Sequence, residues 1–126
     1  MSPTFSQNKR TDVRIPVRII IRFRLLKSPV GEEPEPNLHN GNNLISNLSR
    51  SGFFLSTKNF LEVGSIIELE FGLETFQETV KAEAEVIRTN NYNFPNHGRY
   101  EYGLRFTSLH PHFRQILDQF VKLREG

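Results

Sequence analysis

The feature that most constrains the fold is a regular alternation of side-chain character in the stretch VRIPVRIIIRFRL. From Val13 to Leu25 every odd position is apolar, and the even positions hold four arginines, one proline and one isoleucine. Successive side chains of a β-strand point to opposite faces, so this period of two predicts a strand with one buried and one arginine-rich face. The fold must therefore contain a sheet with one face turned to solvent.

Four further segments are also predicted to be strands, and all of them except GFFLST alternate apolar and polar side chains. They are GFFLST, IIELEF, VKAEAEVIR and YEYGLRF. VKAEAEVIR has a composition that also suits a helix, but a helix would scatter its four apolar residues around the circumference. A turn is expected at Gly64 and Ser65. The stretch between Lys27 and Asn43 is rich in Pro, Gly, Glu and Asn, which predicts an exposed loop, long enough to be an insertion with its own partner.

The C-terminal residues change period. Phe113, Ile116, Leu117, Phe120 and Val121 follow the spacing of an amphipathic helix, which we expect to span residues 111–125. Pro111 would lie in the first turn of this helix, a position to which proline is well suited. Several antiparallel strands followed by one helix predict a mainly β fold, a small barrel or curled sheet with the helix over one opening.

Length and composition limit the classes of protein to consider. A chain of 126 residues suits a single domain, residues 1–126. The sequence contains no cysteine, which excludes disulfides, thiol nucleophiles and zinc sites with cysteine ligands. No apolar run has the roughly 18 residues of a membrane span, and the first residues lack the apolar core of a signal peptide. We therefore expect a soluble cytoplasmic protein without a transmembrane segment.

Positive charge is concentrated in the first quarter of the chain. Residues 1–27 hold seven basic residues and one acidic residue, whereas the remainder holds nine basic and thirteen acidic residues. An anionic partner would be drawn to the first segment, whether a nucleotide, a nucleic acid or an acidic lipid surface. Solvation of a barrel exterior is the favoured role of Arg18, Arg22 and Arg24, so general binding of nucleic acid or membrane is not expected.

Residues suited to catalysis or metal binding are few. His110 and His112 have a spacing that could share a metal on a strand, but no third ligand accompanies them, and polar residues at a helix entrance are the favoured interpretation. Glutamate pairs such as Glu83 and Glu85 suit acid–base catalysis, yet a solvated strand face explains them more simply. We therefore expect no enzymatic activity and no cofactor.

Two short motifs carry the functional prediction. Arg10 and Arg14 form an RxxxR pattern just before the first strand, where guanidinium groups can bind guanine edges or phosphate oxygens. NLSRSG supplies Asn47, Ser49 and Gly52 in an NxSxxG turn. With the flanking strands in this order, the chain resembles a PilZ domain, the bacterial receptor module for cyclic di-GMP, from about residue 10 to the terminal helix.

The resemblance implies a six-stranded antiparallel barrel with a C-terminal helix. It also implies that a flexible N-terminal segment, residues 1–14, folds over the ligand. Arg10 and Arg14 would hold guanine edges and phosphates, Asn47 and Ser49 would hydrogen-bond the other side of the ligand, and Gly52 would let the backbone turn close to it. Lys9 and Arg50 are expected as auxiliary phosphate contacts. The family often has aspartate where this chain has an asparagine, which retains an acceptor but loses the charge.

The implied function is that of a non-catalytic cyclic di-GMP receptor. Ligand binding between the RxxxR segment and the NxSxxG turn would change the surface presented to a downstream protein partner. The alternative is a PilZ-like adaptor that binds no nucleotide and acts through protein contacts alone.

Overall fold

The computed structural model describes residues 13–73, 76–89 and 98–125. It consists of six strands followed by one helix, α1 (Pro111–Glu125). The strands are β1 (Ile15–Lys27), β2 (His39–Leu48), β3 (Gly52–Thr57), β4 (Ile66–Leu73), β5 (Glu78–Thr89) and β6 (Tyr100–Leu109).

The six strands form a closed antiparallel barrel in the order β1-β2-β3-β6-β5-β4. Strand β1 pairs with β2 on one side and with β4 on the other, which closes the sheet on itself. Among the six described strands, closure leaves no open sheet edge. The six-stranded antiparallel barrel with a C-terminal helix is therefore confirmed.

Strand β1 has the two faces that its alternating sequence predicts. Ile21 and Phe23 are buried in the barrel, while Arg22 and Arg24 lie opposite Glu70 and Glu68 on β4. Arg22 forms an ion pair with Glu70, and Arg24 Nε lies 2.5 Å from Glu68 Oε1. These arginines therefore cover the outside of the barrel, as predicted.

The second strand corrects the sequence prediction. Residues 27–43 were expected to form one exposed loop, and GFFLST was counted as the second strand, yet β2 begins at His39. The strand is hard to recognise because its inward Asn43 is polar: it is fully buried and accepts a hydrogen bond from Thr57 Oγ1 at 2.6 Å. The His39 ring packs 4.6 Å from that of Phe23, so a polar sequence lines part of the barrel.

The connection between β1 and β2 is anchored to the barrel by Glu35. Its backbone N–H donates to the carbonyl of Leu25 at 2.9 Å, and its carboxylate accepts from the Leu25 N–H at 2.7 Å. Arg24 Nη1 donates to the Glu35 carbonyl at 2.8 Å. Residues 28–38 are thus a loop held at its middle.

The other predicted elements are present. VKAEAEVIR lies in strand β5 and pairs with both β4 and β6. Gly64 begins the predicted turn with φ +100°, a conformation that side-chain-bearing residues rarely adopt. The apolar residues of α1 join the barrel core, namely Ile116, Leu117, Phe120 and Val121. Within the described ranges, no helix is long and apolar enough to span a membrane.

Candidate functional site

Two neighbouring rows of cross-strand partners place the candidate site on the barrel wall. The inner row is apolar and buried, and it consists of Ile15, Leu48, Phe53, Leu104 and Val86. The adjacent outer row consists of Pro16, Asn47, Phe54, Gly103 and Arg88. Paired positions on neighbouring strands point their side chains to the same face. The packed inner row therefore fixes the positions of the outer one.

The NxSxxG turn joins β2 to β3 and is closed by Ser49, which is fully buried. The Ser49 hydroxyl accepts from the backbone N–H groups of Gly52 at 3.2 Å and Ser51 at 3.3 Å. It also lies in position to donate to the Gly52 carbonyl, at 3.2 Å. A hydroxyl has one donor and two acceptor sites, so the turn uses the full hydrogen-bonding capacity of this side chain.

Gly52 is required where β3 meets β6. A Cβ atom at this position would lie 2.0 Å from the carbonyl oxygen of Leu104, far inside van der Waals contact. The φ angle of Gly52 is not in the left-handed region. The need for glycine therefore comes from close strand approach and not from the tight turn that was expected.

Arg50, at the tip of the turn, faces the helix. Its Nε donates to Asp118 Oδ1 at 2.8 Å, and its Nη2 to Oδ2 at 3.3 Å. Arg50 was predicted as an auxiliary phosphate contact. In this structure its guanidinium group is already paired with the carboxylate of Asp118.

Asn47 lies in the middle of the outer row and is partly buried. Its cross-strand partners are Pro16 on β1 and Phe54 on β3. In the part of the chain that the structure describes, no hydrogen bond engages its side-chain amide. The amide is thus available to a ligand on this face.

Arg14 of the RxxxR motif reaches this face from just before β1. Its Cζ lies 4.7 Å from the centroid of the Phe54 ring, within the range of a cation–π contact. Arg14 and the strand that follows the NxSxxG turn are therefore in direct contact. Arg10 and Lys9, the other basic residues predicted for the site, lie outside the described residues.

Arg88 was not predicted, yet its Cζ lies 5.4 Å from the same Phe54 ring. A Cβ atom on Gly103 would lie 3.2 Å from both Cγ and Nε of Arg88, so the glycine leaves room for the arginine to cross β6. One sequence signal was present, since a glycine inside the strand YEYGLRF marks a close approach of another group. The contact of Arg88 with Phe54 itself depends on how β3, β6 and β5 pair in the barrel.

A small cavity of about 130 Å³ lies at this point. Its lining comprises Arg14, Phe53, Phe54, Ile87, Arg88, Gly103 and Leu104. Pockets that enclose a drug-sized ligand are about 300–1,000 Å³, so a ligand of that size would lie across this surface and insert only a part of itself.

The charge at the cavity is not balanced by the described residues. Arg22, Arg24, Arg50 and Arg105 each pair with a carboxylate. Across residues 13–73, 76–89 and 98–125, neither Arg14 nor Arg88 has such a partner. Two guanidinium groups over one aromatic ring, without a counter-charge among these residues, form an electrostatic site for an anion.

A larger cavity, of about 410 Å³, lies between the start of β1, the end of β4 and α1. Arg18, Arg124 and Phe120 are among its lining residues. None of the motif residues that the structure describes lines it, so we do not assign the candidate site there.

His110, His112 and Glu85, which were considered for metal binding or catalysis, have other contacts. His112 Nε2 lies 2.9 Å from Glu78 Oε1, and the backbone N–H of His112 donates to His110 Nδ1 at 3.1 Å. Glu85 Oε1 accepts from Arg105 Nη2 at 2.8 Å. Among the residues whose placement is described, no three His, Asp or Glu side chains gather as metal ligands would.

Comparisons with known proteins identify the family. The model of the PilZ domain family matches residues 7–123. The structure of the Bacillus subtilis inhibitor of motility (MotI/DgrA) superposes with a TM-score of 0.66 at 20% identity, covering 92% of this chain and 51% of that one. This chain thus spans about half the length of that protein. No curated protein gives a significant sequence match.

A second solved structure covers both chains almost completely. It is the PilZ domain with c-di-GMP of YcgR from Escherichia coli, with a TM-score of 0.61 and 14% identity over 93% of this chain and 92% of that chain. At these identities the structural likeness concerns the fold, whereas the family model matches the sequence itself. The chain therefore belongs to the PilZ domain family.

Proposed function

We propose that this protein is a non-catalytic receptor for cyclic di-GMP. The ligand binds between the N-terminal RxxxR segment, with Arg10 and Arg14, and the NxSxxG turn. One observation carries the proposal: Arg14 lies over Phe54, on the strand that leaves the turn, and its charge is unpaired within the described residues. The structurally similar PilZ domain of YcgR was solved with c-di-GMP, which supports the choice of this ligand.

The chemistry of cyclic di-GMP fits this surface. The molecule has two phosphates and two guanines, and a guanidinium group can fork onto phosphate oxygens or onto the O6 and N7 acceptors of guanine. Arg14 lies over an aromatic ring, which orders its planar group before the ligand arrives. Bases also stack on guanidinium planes. One arginine can therefore contribute both charge and a stacking surface.

We propose two different roles for the residues of the NxSxxG motif. Asn47 shares the outer face with Phe54 and has an amide available for ligand, so we assign it a direct contact. The sequence predicted that Ser49 hydrogen-bonds the ligand, but its side chain is buried and its hydroxyl is used by hydrogen bonds within the turn. Gly52 admits the close approach of the β6 backbone. These two residues support the ligand surface from behind. The contacts proposed for Arg10 and Lys9 rest on the family resemblance.

Ligand binding at the turn could change the contacts that the turn makes with helix α1. Arg50 belongs to the turn and pairs with Asp118 on α1, and Arg114 of the same helix donates to the Arg50 carbonyl. A ligand that draws Arg50 toward a phosphate would break this pair and change the surface of the helix. We propose that a downstream protein partner recognises this change.

The second candidate function is an adaptor that acts through protein contacts alone. It is favoured by exposed apolar side chains, since Ile20 on β1 is 72% exposed and Leu123 on α1 is 65% exposed. Ile20 also lines the larger cavity beside α1. Such side chains suit a protein interface and take no part in the nucleotide site.

Isothermal titration calorimetry of the purified protein with cyclic di-GMP tests the proposal, with GMP and cyclic di-AMP as controls. We expect selective binding with a Kd of about 1 μM or less, which corresponds to a binding free energy of roughly −8 kcal/mol. Because association costs at least about 4 kcal/mol, the contacts must together contribute about 12 kcal/mol or more. Two arginine contacts and two stacking contacts of about 1–3 kcal/mol each, together with hydrogen bonds to the turn, can reach this value. Absence of both heat and a thermal shift would favour the adaptor function instead.

A further inference from the structure

Arg88 belongs to neither of the two motifs, yet its guanidinium group contacts the same Phe54 ring that Arg14 contacts. We propose that Arg88 is a third arginine of the nucleotide site and binds the ligand directly. Its guanidinium would grip two neighbouring acceptor atoms, either two oxygens of one phosphate or O6 and N7 of one guanine. The inference rests on the proposed function, because it concerns a further contact to the same ligand.

The register of the barrel places Arg88 in line with the predicted ligand contacts. Asn47 pairs with Phe54, Phe54 pairs with Gly103, and Gly103 pairs with Arg88. Because neighbouring strands are about 4.8 Å apart, this row is a continuous strip of surface across four strands. A flat ligand over Phe54 would touch Asn47 at one end of the strip and Arg88 at the other.

Gly103 makes this orientation of Arg88 possible. The Arg88 side chain crosses β6 at Gly103. A Cβ atom on this glycine would lie 3.2 Å from both Cγ and Nε of Arg88, and 3.6 Å from Phe54 Cε1. A Cβ atom at position 103 would require the Arg88 side chain to shift by a few tenths of an ångström, and a longer side chain would require a larger shift. Gly103 is thus a positioning residue for Arg88.

The electrostatics of Arg88 also point to a ligand. On the same sheet, Arg105 Nη2 donates to Glu85 Oε1 at 2.8 Å. Arg88 has no comparable acidic partner among the residues that the structure places, and it rests on Phe54. Arg14 and Arg88 therefore bring two like charges to one ring. The two guanidinium groups repel each other in the absence of an anion, and a ligand with two phosphates would stabilise them.

The first test is calorimetric titration of cyclic di-GMP into wild-type protein and Arg88→Gln, with Arg105→Gln as the matched control. Both variants remove one exposed positive charge from the same sheet. We expect Arg88→Gln to raise the Kd at least about fivefold, as the loss of a bidentate contact implies, and Arg105→Gln to change it less than about twofold. Thermal unfolding of each variant checks that the fold is intact.

Arg88→Lys separates the two kinds of acceptor. Lysine keeps the charge but loses the planar fork, so substantial recovery of affinity would indicate a phosphate contact. Little recovery, together with a smaller preference for cyclic di-GMP over cyclic di-AMP, would indicate a guanine contact. Either result supports direct binding by Arg88.

Gly103→Ala tests the positioning role. We expect it to weaken binding in the wild-type background and to have little further effect in the Arg88→Gln background, because both changes remove the same contact. Equal loss in both backgrounds would show a merely structural effect of the alanine. The proposal for Arg88 would be overturned if the wild-type protein binds cyclic di-GMP and Arg88→Gln binds it equally well. Failure of the wild-type protein to bind would instead overturn the proposed function and the inference with it.

Discussion

Arg50 in the β2–β3 turn forms a two-point ion pair with Asp118 on helix α1, with Nε to Oδ1 at 2.8 Å and Nη2 to Oδ2 at 3.3 Å. Arg114, one helical turn before Asp118, donates to the backbone carbonyl of Arg50. The turn of the predicted ligand site is therefore attached to the helix by both a side chain and the backbone. This attachment links the proposed nucleotide site to the surface of helix α1.

A double-mutant cycle with Arg50→Gln and Asp118→Asn measures this link. The Arg50 side chain is 51% exposed, so solvent screening should limit the coupling energy to about 0.2–1 kcal/mol. We expect each single variant to lower the free energy of unfolding slightly, and the double variant to lose less than the sum of the two. Urea denaturation provides the values, and strictly additive losses would contradict a functional pair.

Gly52→Ala should destabilise the barrel by about 2 kcal/mol or more, because its methyl group would enter the space of the Leu104 carbonyl. Gly72→Ala on β4 is the matched control, since no atom lies within 4 Å of the added Cβ. We expect the control to stay within about 0.5 kcal/mol of wild type. Equal stability of the two variants in urea denaturation would show that β3 does not need the close approach.

Ser49→Ala should lower the free energy of unfolding by about 1–3 kcal/mol, because the buried Gly52 N–H and the partly buried Ser51 N–H both lose the Ser49 hydroxyl as an acceptor. Ser108→Ala, at an exposed position of β6, is the control and should be nearly neutral. Thermal and urea denaturation both report the difference. Identical behaviour of the two alanine variants would argue against the turn-closing role of Ser49.

Tyr102 should make the stability of the barrel sensitive to alkaline pH. Burial raises the pKa of its phenol above the ordinary value of 10.0, although the hydrogen bond from the Leu61 N–H, at 2.8 Å, acts in the opposite direction. Above about pH 10 the unfolded phenol loses its proton while the folded one retains it, so the unfolded state binds fewer protons. The free energy of unfolding should then fall as pH rises.

Tyr102→Phe tests this dependence. The variant should be less stable than wild type at neutral pH by about 1–3 kcal/mol, because the Leu61 N–H loses its acceptor. The difference between the two proteins should shrink above about pH 10, where only wild type carries the cost of a buried phenolate. All groups other than residue 102 are the same in the two proteins, so their contributions largely cancel in the comparison. Parallel stability curves up to about pH 11 would contradict the account.

Much of the fold was predictable because its apolar residues follow the period of each element. Strand β1 can be recognised from the alternation that buries Ile21 and Phe23. Helix α1 can be recognised from the spacing that buries Ile116 and Phe120. Strand β2 was missed in part because a buried hydrogen bond, from Thr57 to Asn43, replaces apolar packing at its start. A search for apolar periodicity cannot detect such a strand.

The candidate site was predictable only where a motif is local in sequence. The NxSxxG turn and Arg14 lie within short patterns, whereas the contact of Arg88 with Phe54 joins residues that approach each other through two strand pairings. The role of Gly52 likewise depends on Leu104, which is distant in sequence. Such relationships follow from the register of the closed barrel, and no single segment specifies it.

The measurement that tests the central claim most directly is the affinity for cyclic di-GMP of Arg14→Ala beside Arg18→Ala. The two arginines lie four residues apart at the start of β1, but only Arg14 contacts Phe54 and lines the small cavity. We predict that Arg14→Ala raises the Kd by at least about tenfold, and that Arg18→Ala changes it by less than about twofold. Wild-type affinity in Arg14→Ala, or equal losses in the two variants, would contradict a nucleotide site built on Arg14 and Phe54.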